Sequence, residues 1–108
     1  MMRELMQDNF NKEILESKGV HLVDFFATWC GPCKMLSPVL EGLSEKVSDD
    51  IHIWRLDIDQ NRSLALEYDV TAVPTMIIFK DGVLVERLVG FNPEGIIKEK
   101  LEYYAKSL

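Results

Sequence analysis

The sequence predicts an α/β fold: a central mixed five-stranded sheet flanked by about four helices on both faces. Three observations carry that reading. Residues 21–27 are apolar almost throughout, as a strand buried on both faces tends to be, and apolar residues at 51, 53, 54, 56 and 58 mark a second central strand. Each strand is followed by apolar residues at helical spacing, and strands separated by helices pair in parallel through right-handed crossovers. Two later strands flank Asp81-Gly82, a hairpin signal that adds antiparallel members to the same sheet.

In chain order, residues 2–6 suit a short edge strand. Asp8 or Asn9 can then cap a short helix with Phe10, Ile14 and Leu15 on one side, ended by Gly19. Residues 21–27 form the first central strand, and the cysteine segment follows. Met35, Leu36, Val39, Leu40, Leu43 and Val47 repeat at helical spacing and read as one buried stripe. Pro38 lies inside that stripe and predicts a bend rather than a stop. Ile51, Ile53, Trp54, Leu56 and Ile58 mark the second central strand, and residues 62–68 a short helix with Leu64, Ala65 and Tyr68 facing in. Residues 75–79 and 83–89 are the hairpin strands. Asn92-Pro93 reads as a capping residue followed by proline at the first helical position. Ile96, Ile97, Leu101 and Tyr104 supply the apolar face of that last helix.

The length of 108 residues allows one domain, spanning 1–108, with one core. With 47% hydrophobic and 28% charged residues, the chain has globular rather than disordered or membrane-spanning composition. No apolar run is long enough to cross a bilayer, and the N-terminus lacks the apolar stretch and cleavage site of a signal peptide. A cytoplasmic location is therefore expected. The net charge of −6 argues against nucleic acid or anionic membrane as partner.

Both cysteines lie in Trp29-Cys30-Gly31-Pro32-Cys33-Lys34. A disulfide across so small a loop adds little stability, which points to reactivity instead. Cys30 follows a buried strand and opens a helix, where free backbone N–H groups and the helix dipole favour a thiolate. Gly31 lets another chain approach, Pro32 suits the first helical turn, and Cys33 lies one turn along. Lys34 adds a positive charge whose side chain points to solvent. Cys30, expected to be the more exposed, would attack a substrate disulfide, and Cys33 would resolve the mixed disulfide. Asp24, the one charged residue in an apolar strand just upstream, is the candidate proton acceptor, with a pKa raised by burial. A pair of cysteines two apart is also half of a zinc site, but there is no second pair, and His21 and His52 read as ordinary strand residues.

These residues, with Val23-Asp24-Phe25, Pro38, Asp59-Gln60-Asn61, Val73-Pro74-Thr75, Phe79-Lys80-Asp81-Gly82 and Val89-Gly90, make the chain resemble the thioredoxin family over nearly its whole length. The resemblance implies the thioredoxin fold and a protein-disulfide reductase, acting in cell redox homeostasis. It implies a cis bond at Val73-Pro74 beside Cys30, with backbone there pairing to substrate. Trp29, Gly31, Pro32, Val73, Pro74, Val89, Gly90 and Phe91 would then form an apolar docking patch. Gly31, Pro32, Asp24 and Arg55 would tune the thiols.

Three departures stand out. Phe26 replaces a second tryptophan common in the family, a change expected to alter fluorescence more than chemistry. Phe91 replaces a small residue and enlarges the patch. Arg55 replaces a lysine that often pairs with the buried acid, and arginine cannot lose its charge. The expected partners are disulfide-containing proteins and, because the chain has no nucleotide-binding glycine motif, a flavin-dependent thioredoxin reductase as electron donor. No cofactor or metal is expected, and the protein is expected to be a monomer. Two other functions fit the cysteine pair: a disulfide oxidase or isomerase, disfavoured by Gly31-Pro32, and a redox-gated binding subunit.

Overall fold

In a computed structural model that describes residues 2–106, five strands form one sheet in the order β1-β3-β2-β4-β5. β1 (Arg3–Glu4), β2 (Val20–Phe26) and β3 (Ile51–Asp57) are parallel. β4 (Thr75–Lys80) pairs antiparallel with β2, and β5 (Val83–Val89) antiparallel with β4. A short π-helical turn, Asn11–Leu15, and the helices α1 (Gly31–Ser44), α2 (Arg62–Glu67) and α3 (Glu94–Lys106) complete the order. The predicted mixed sheet and its four helical segments are therefore present. The ends of the expected domain, residues 1, 107 and 108, lie outside the described residues.

Alternation along the buried central strand β2 divides the core in two. Val20 and Leu22 face α1 and α3, packing with Leu36, Leu40, Leu43, Ile97 and Leu101. Val23 and Phe25 face the other way, toward Phe10, Ile14 and Leu64. Asp24 falls on the first face, in register with Arg55 of β3 and Met76 of β4. The hairpin turn has the two positive φ values of a type I′ turn, 50° at Asp81 and 84° at Gly82. It docks on the start of β2: the Asp81 carboxylate accepts the Gly19 N–H at 2.7 Å, and the Asp81 N–H donates to the Gly19 carbonyl at 2.9 Å.

Several local expectations are corrected. Asn9 does not cap the first helical turn; its side-chain oxygen accepts the Met6 N–H at 2.9 Å, and no side chain caps that turn. The turn ends at Leu15, four residues before Gly19, which instead uses φ +90° to lead the chain into β2. α3 starts one residue late, because the Pro93 carbonyl already accepts from the Ile96 and Ile97 N–H groups. Asn92 meanwhile donates to the Gly90 carbonyl. Met35, read as core, is 65% exposed, since it lies on the open side of α1 one position before buried Leu36. Leu15 and Ile96 are exposed for the same reason, each preceding or following a fully buried isoleucine on its helix. α1 runs on through Pro38 without stopping, as expected.

Candidate functional site

The chain leaves buried β2 at Phe26 and enters α1 at Gly31, which leaves Cys30 as the N-cap residue. Its sulfur accepts the backbone N–H of Cys33 at 3.1 Å. Pro32, in the first turn of the helix, has no N–H to leave unpaired. The two cysteines are joined as a disulfide with their Cα atoms 5.3 Å apart. The expected difference in exposure is not found, for Cys30 is 5% and Cys33 4% exposed. Neighbourhood separates them instead. Cys30 meets the loop before β4, and Cys33 lines a cleft on the other side.

The Val73–Pro74 peptide bond is cis, as the resemblance implies. The Val73 carbonyl oxygen lies 3.6 Å from Cys30 Sγ. Thr75 anchors this loop by donating its hydroxyl to the Ala72 carbonyl at 2.6 Å. The Pro74 carbonyl accepts the Gly90 N–H at 2.8 Å, which ties the start of β4 to the loop after β5. Gly90 has φ +86°, and a Cβ at Gly31 would meet no atom within 4 Å. Around the disulfide, Trp29, Gly31, Pro32, Val89 and Phe91 are exposed, while Val73 and Gly90 are half-buried. Pro74 is itself buried, so it underlies the patch and offers little of its own surface.

Trp29 is 68% exposed, yet its indole is held in place. Its Nε1–H donates to the Asp59 carboxylate at 2.9 Å. The Asp59 N–H donates in turn to Asp57 Oδ1, and Asn61 donates to the Asp57 carbonyl. Sequence reading did not give Asp59 this role. The run Asp57-Ile58-Asp59-Gln60-Asn61 is nonetheless a sequence signal for a turn built on side-chain acceptors.

On the far side of the disulfide, Phe26, Ala27, Thr28, Cys33, Lys34, Ser37, Pro38 and Arg55 line a cleft of about 400 Å³. Asp24 lies deeper on the same sheet face. It is buried, and its Oδ1 has no hydrogen-bond partner among the described residues. Burial pushes its pKa up from 3.8 to about 7, against the opposing pull of the Arg55 guanidinium. The carboxyl therefore exchanges its proton near neutral pH. Among the described residues, no group of three His, Cys, Asp or Glu side chains is placed to hold a metal ion. No helix is long and apolar enough to cross a membrane among them.

Comparison with known proteins agrees with this geometry. A family model described as thioredoxin matches residues 1–103. A thioredoxin of Staphylococcus saprophyticus is 46% identical over 99 residues, covering 92% of this chain and 93% of its own. One from Staphylococcus aureus is 51% identical over 84 residues, covering 78% and 81%. Among solved structures, a mutant thioredoxin from Halobacterium salinarum NRC-1 superposes with a TM-score of 0.88 at 37% identity, covering 99% of this chain and 92% of that one.

Proposed function

The chain belongs to the thioredoxin family and is a thiol-disulfide oxidoreductase, and from that premise we propose how its residues divide the reaction. Cys30 is the attacking thiol. As a thiolate it is stabilised by the Cys33 N–H and the positive end of α1. It attacks one sulfur of a substrate disulfide, forming a mixed disulfide, and the second substrate sulfur leaves as a thiolate and takes a proton. Cys33 then gives its proton to the Asp24 carboxylate and attacks the Cys30 sulfur. The remaining substrate sulfur departs as a thiolate. The substrate has gained two electrons, and the protein is left with the Cys30–Cys33 disulfide.

The single observation that carries this assignment is the setting of Cys30 Sγ, between a helix N-terminal N–H at 3.1 Å and the Val73 carbonyl at 3.6 Å. A peptide lying along that loop brings its own disulfide to Cys30, with Trp29, Gly31, Pro32, Val73, Pro74, Val89, Gly90 and Phe91 as the docking patch. Substrates are disulfide-containing proteins, and a flavin-dependent thioredoxin reductase returns the electrons. The protein acts as a cytoplasmic monomer of one domain, with no cofactor of its own.

Cys33→Ser tests the assignment. It should abolish turnover in insulin reduction while accumulating covalent complexes at Cys30. A variant that kept its full function with Cys33 replaced would identify a redox-gated binding subunit instead. The equilibrium potential of the pair against a dithiol standard checks direction: a value well above the cytosolic poise would make the protein an oxidase.

A further inference from the structure

Arg55 and Asp24 are register partners on adjacent strands, yet no hydrogen bond joins them. The reason is where the guanidinium goes. It lies over the ring of Phe26, its central carbon 4.0 Å from the ring centroid. Phe26 is the register partner of Asp57, two residues further along, so the arginine side chain runs diagonally toward the cysteine end of the sheet. Phe26 also packs against Cys30 and Cys33, and Phe26, Arg55 and Cys33 line the same cleft.

We propose that Phe26 is a positioning residue, whose ring holds the Arg55 guanidinium in the cleft so that a permanent positive charge acts on both Asp24 and Cys33. A long arginine chain at a cleft mouth has many conformations open to water. The face of an aromatic ring selects one of them, and the contact strengthens as water is excluded. Phe26 is buried, so little of its ring is left to water. Stacked in this way, the guanidinium acts through its charge alone. A bidentate hydrogen bond to Asp24 would hold that carboxyl ionised well below neutrality and take it out of proton exchange. The other groups around Asp24 do not compete for this role. Met76 is its register partner on β4, Lys34 on α1 is exposed at the cleft, and Arg55 is the charge that acts on Asp24. The Asp57 carboxylate is turned toward the Asp59 N–H.

The proposal deepens the assignment of Asp24 as proton acceptor for Cys33, and its test separates the two. In the oxidised protein the thiols do not titrate, so the Asp24 carboxyl carbon can be followed by NMR without coupling to them. Arg55→Met should raise the Asp24 midpoint by about one pH unit or more, the loss expected for a neighbouring opposite charge. Phe26→Leu should raise it in the same direction by less, and Phe26→Trp, which keeps an aromatic face, should restore it. In the Arg55→Met background, Phe26→Leu should add nothing. A Phe26→Leu shift that persists without Arg55, or no shift at all, overturns the proposal. Should Phe26→Leu fail to fold, the unaltered protein decides: ring-current displacement of the Arg55 δ-methylene protons supports the stack, and undisplaced resonances overturn it. If Asp24→Asn left disulfide reduction unchanged, the proton-acceptor assignment would fall, while the titration shifts would still report where Arg55 is held.

Discussion

Asp24 shows how burying one carboxyl group costs the fold. With a folded pKa of about 7 against an ordinary 3.8, it binds a proton more tightly in the native state than in the unfolded chain. Its contribution to stability is complete below 3.8 and is lost as the pH rises through 7. Asp24→Asn should therefore stabilise the protein at pH 8, by roughly 4 kcal/mol, and flatten the pH dependence between 4 and 7. Denaturant unfolding at both ends of that range would show it, and equal stabilities of variant and parent at pH 8 would refute it. Arg55→Lys should move the Asp24 titration upward, because lysine can shed its charge and arginine cannot. An unchanged titration would sink that expectation.

At the scale of elements, β2 and β3 are joined through side chains as well as through their backbone ladder. His21 Nδ1 accepts the Trp54 indole N–H at 3.0 Å, and His21 Nε2 contacts the Lys18 carbonyl at 3.0 Å, which selects the neutral ring protonated at Nε2. His52 stacks on His21 with ring centroids 4.6 Å apart, and Arg3 of β1 lies over Trp54. Burial lowers the His21 pKa below 6.5 more than its bond to Lys18 raises it, and His52 adds to the lowering. A depressed histidine pKa means that the unfolded chain takes up the proton first. This stabilisation is present above pH 6.5 and is lost as the pH falls below it. Because Asp24 has the opposite trend, the test belongs in the Asp24→Asn background. There, His21→Gln should reduce the loss of stability between pH 7 and 5, read by Trp54 fluorescence during unfolding. Sequence alone identified both histidines as strand residues. Their stacking follows from the register His21↔His52, which a strand pattern does not specify.

Across the whole molecule, the hairpin is a long-range clasp as well as a local turn. A Cβ on Gly82 would collide with the Leu15 carbonyl oxygen, and Gly82 holds φ +84°. Gly82→Ala should therefore cost more than the 1–2 kcal/mol typical of a left-handed non-glycine residue, because the hairpin must also move off the first helical turn. A lowered denaturation midpoint with an unchanged reduction potential is the expected result; an unchanged midpoint would contradict the clash. The same distinction between local and distant contacts explains Met35. Helical spacing assigned it to the core with Leu36 and Leu40, but the sheet covers only one side of α1, and Met35 lies beyond that side.

By itself, the sequence determined the strands, the helices, the Asp81-Gly82 turn and the position of Cys30 at a helix start. Each of these follows from periodicity and backbone chemistry within about a dozen residues. It also singled out Asp24, since a lone carboxyl group in an apolar strand must be buried with the strand. The family resemblance placed Val73-Pro74 beside Cys30 although no local pattern does, and tertiary structure decided what else surrounds the thiols. Val73 reaches Cys30 across 43 residues and Asp59 grips Trp29 across 30. Arg55 meets Phe26 through the pairing of β2 with β3. Such contacts depend on strand register and on which face of a helix the sheet covers, and these are settled only when the whole core packs.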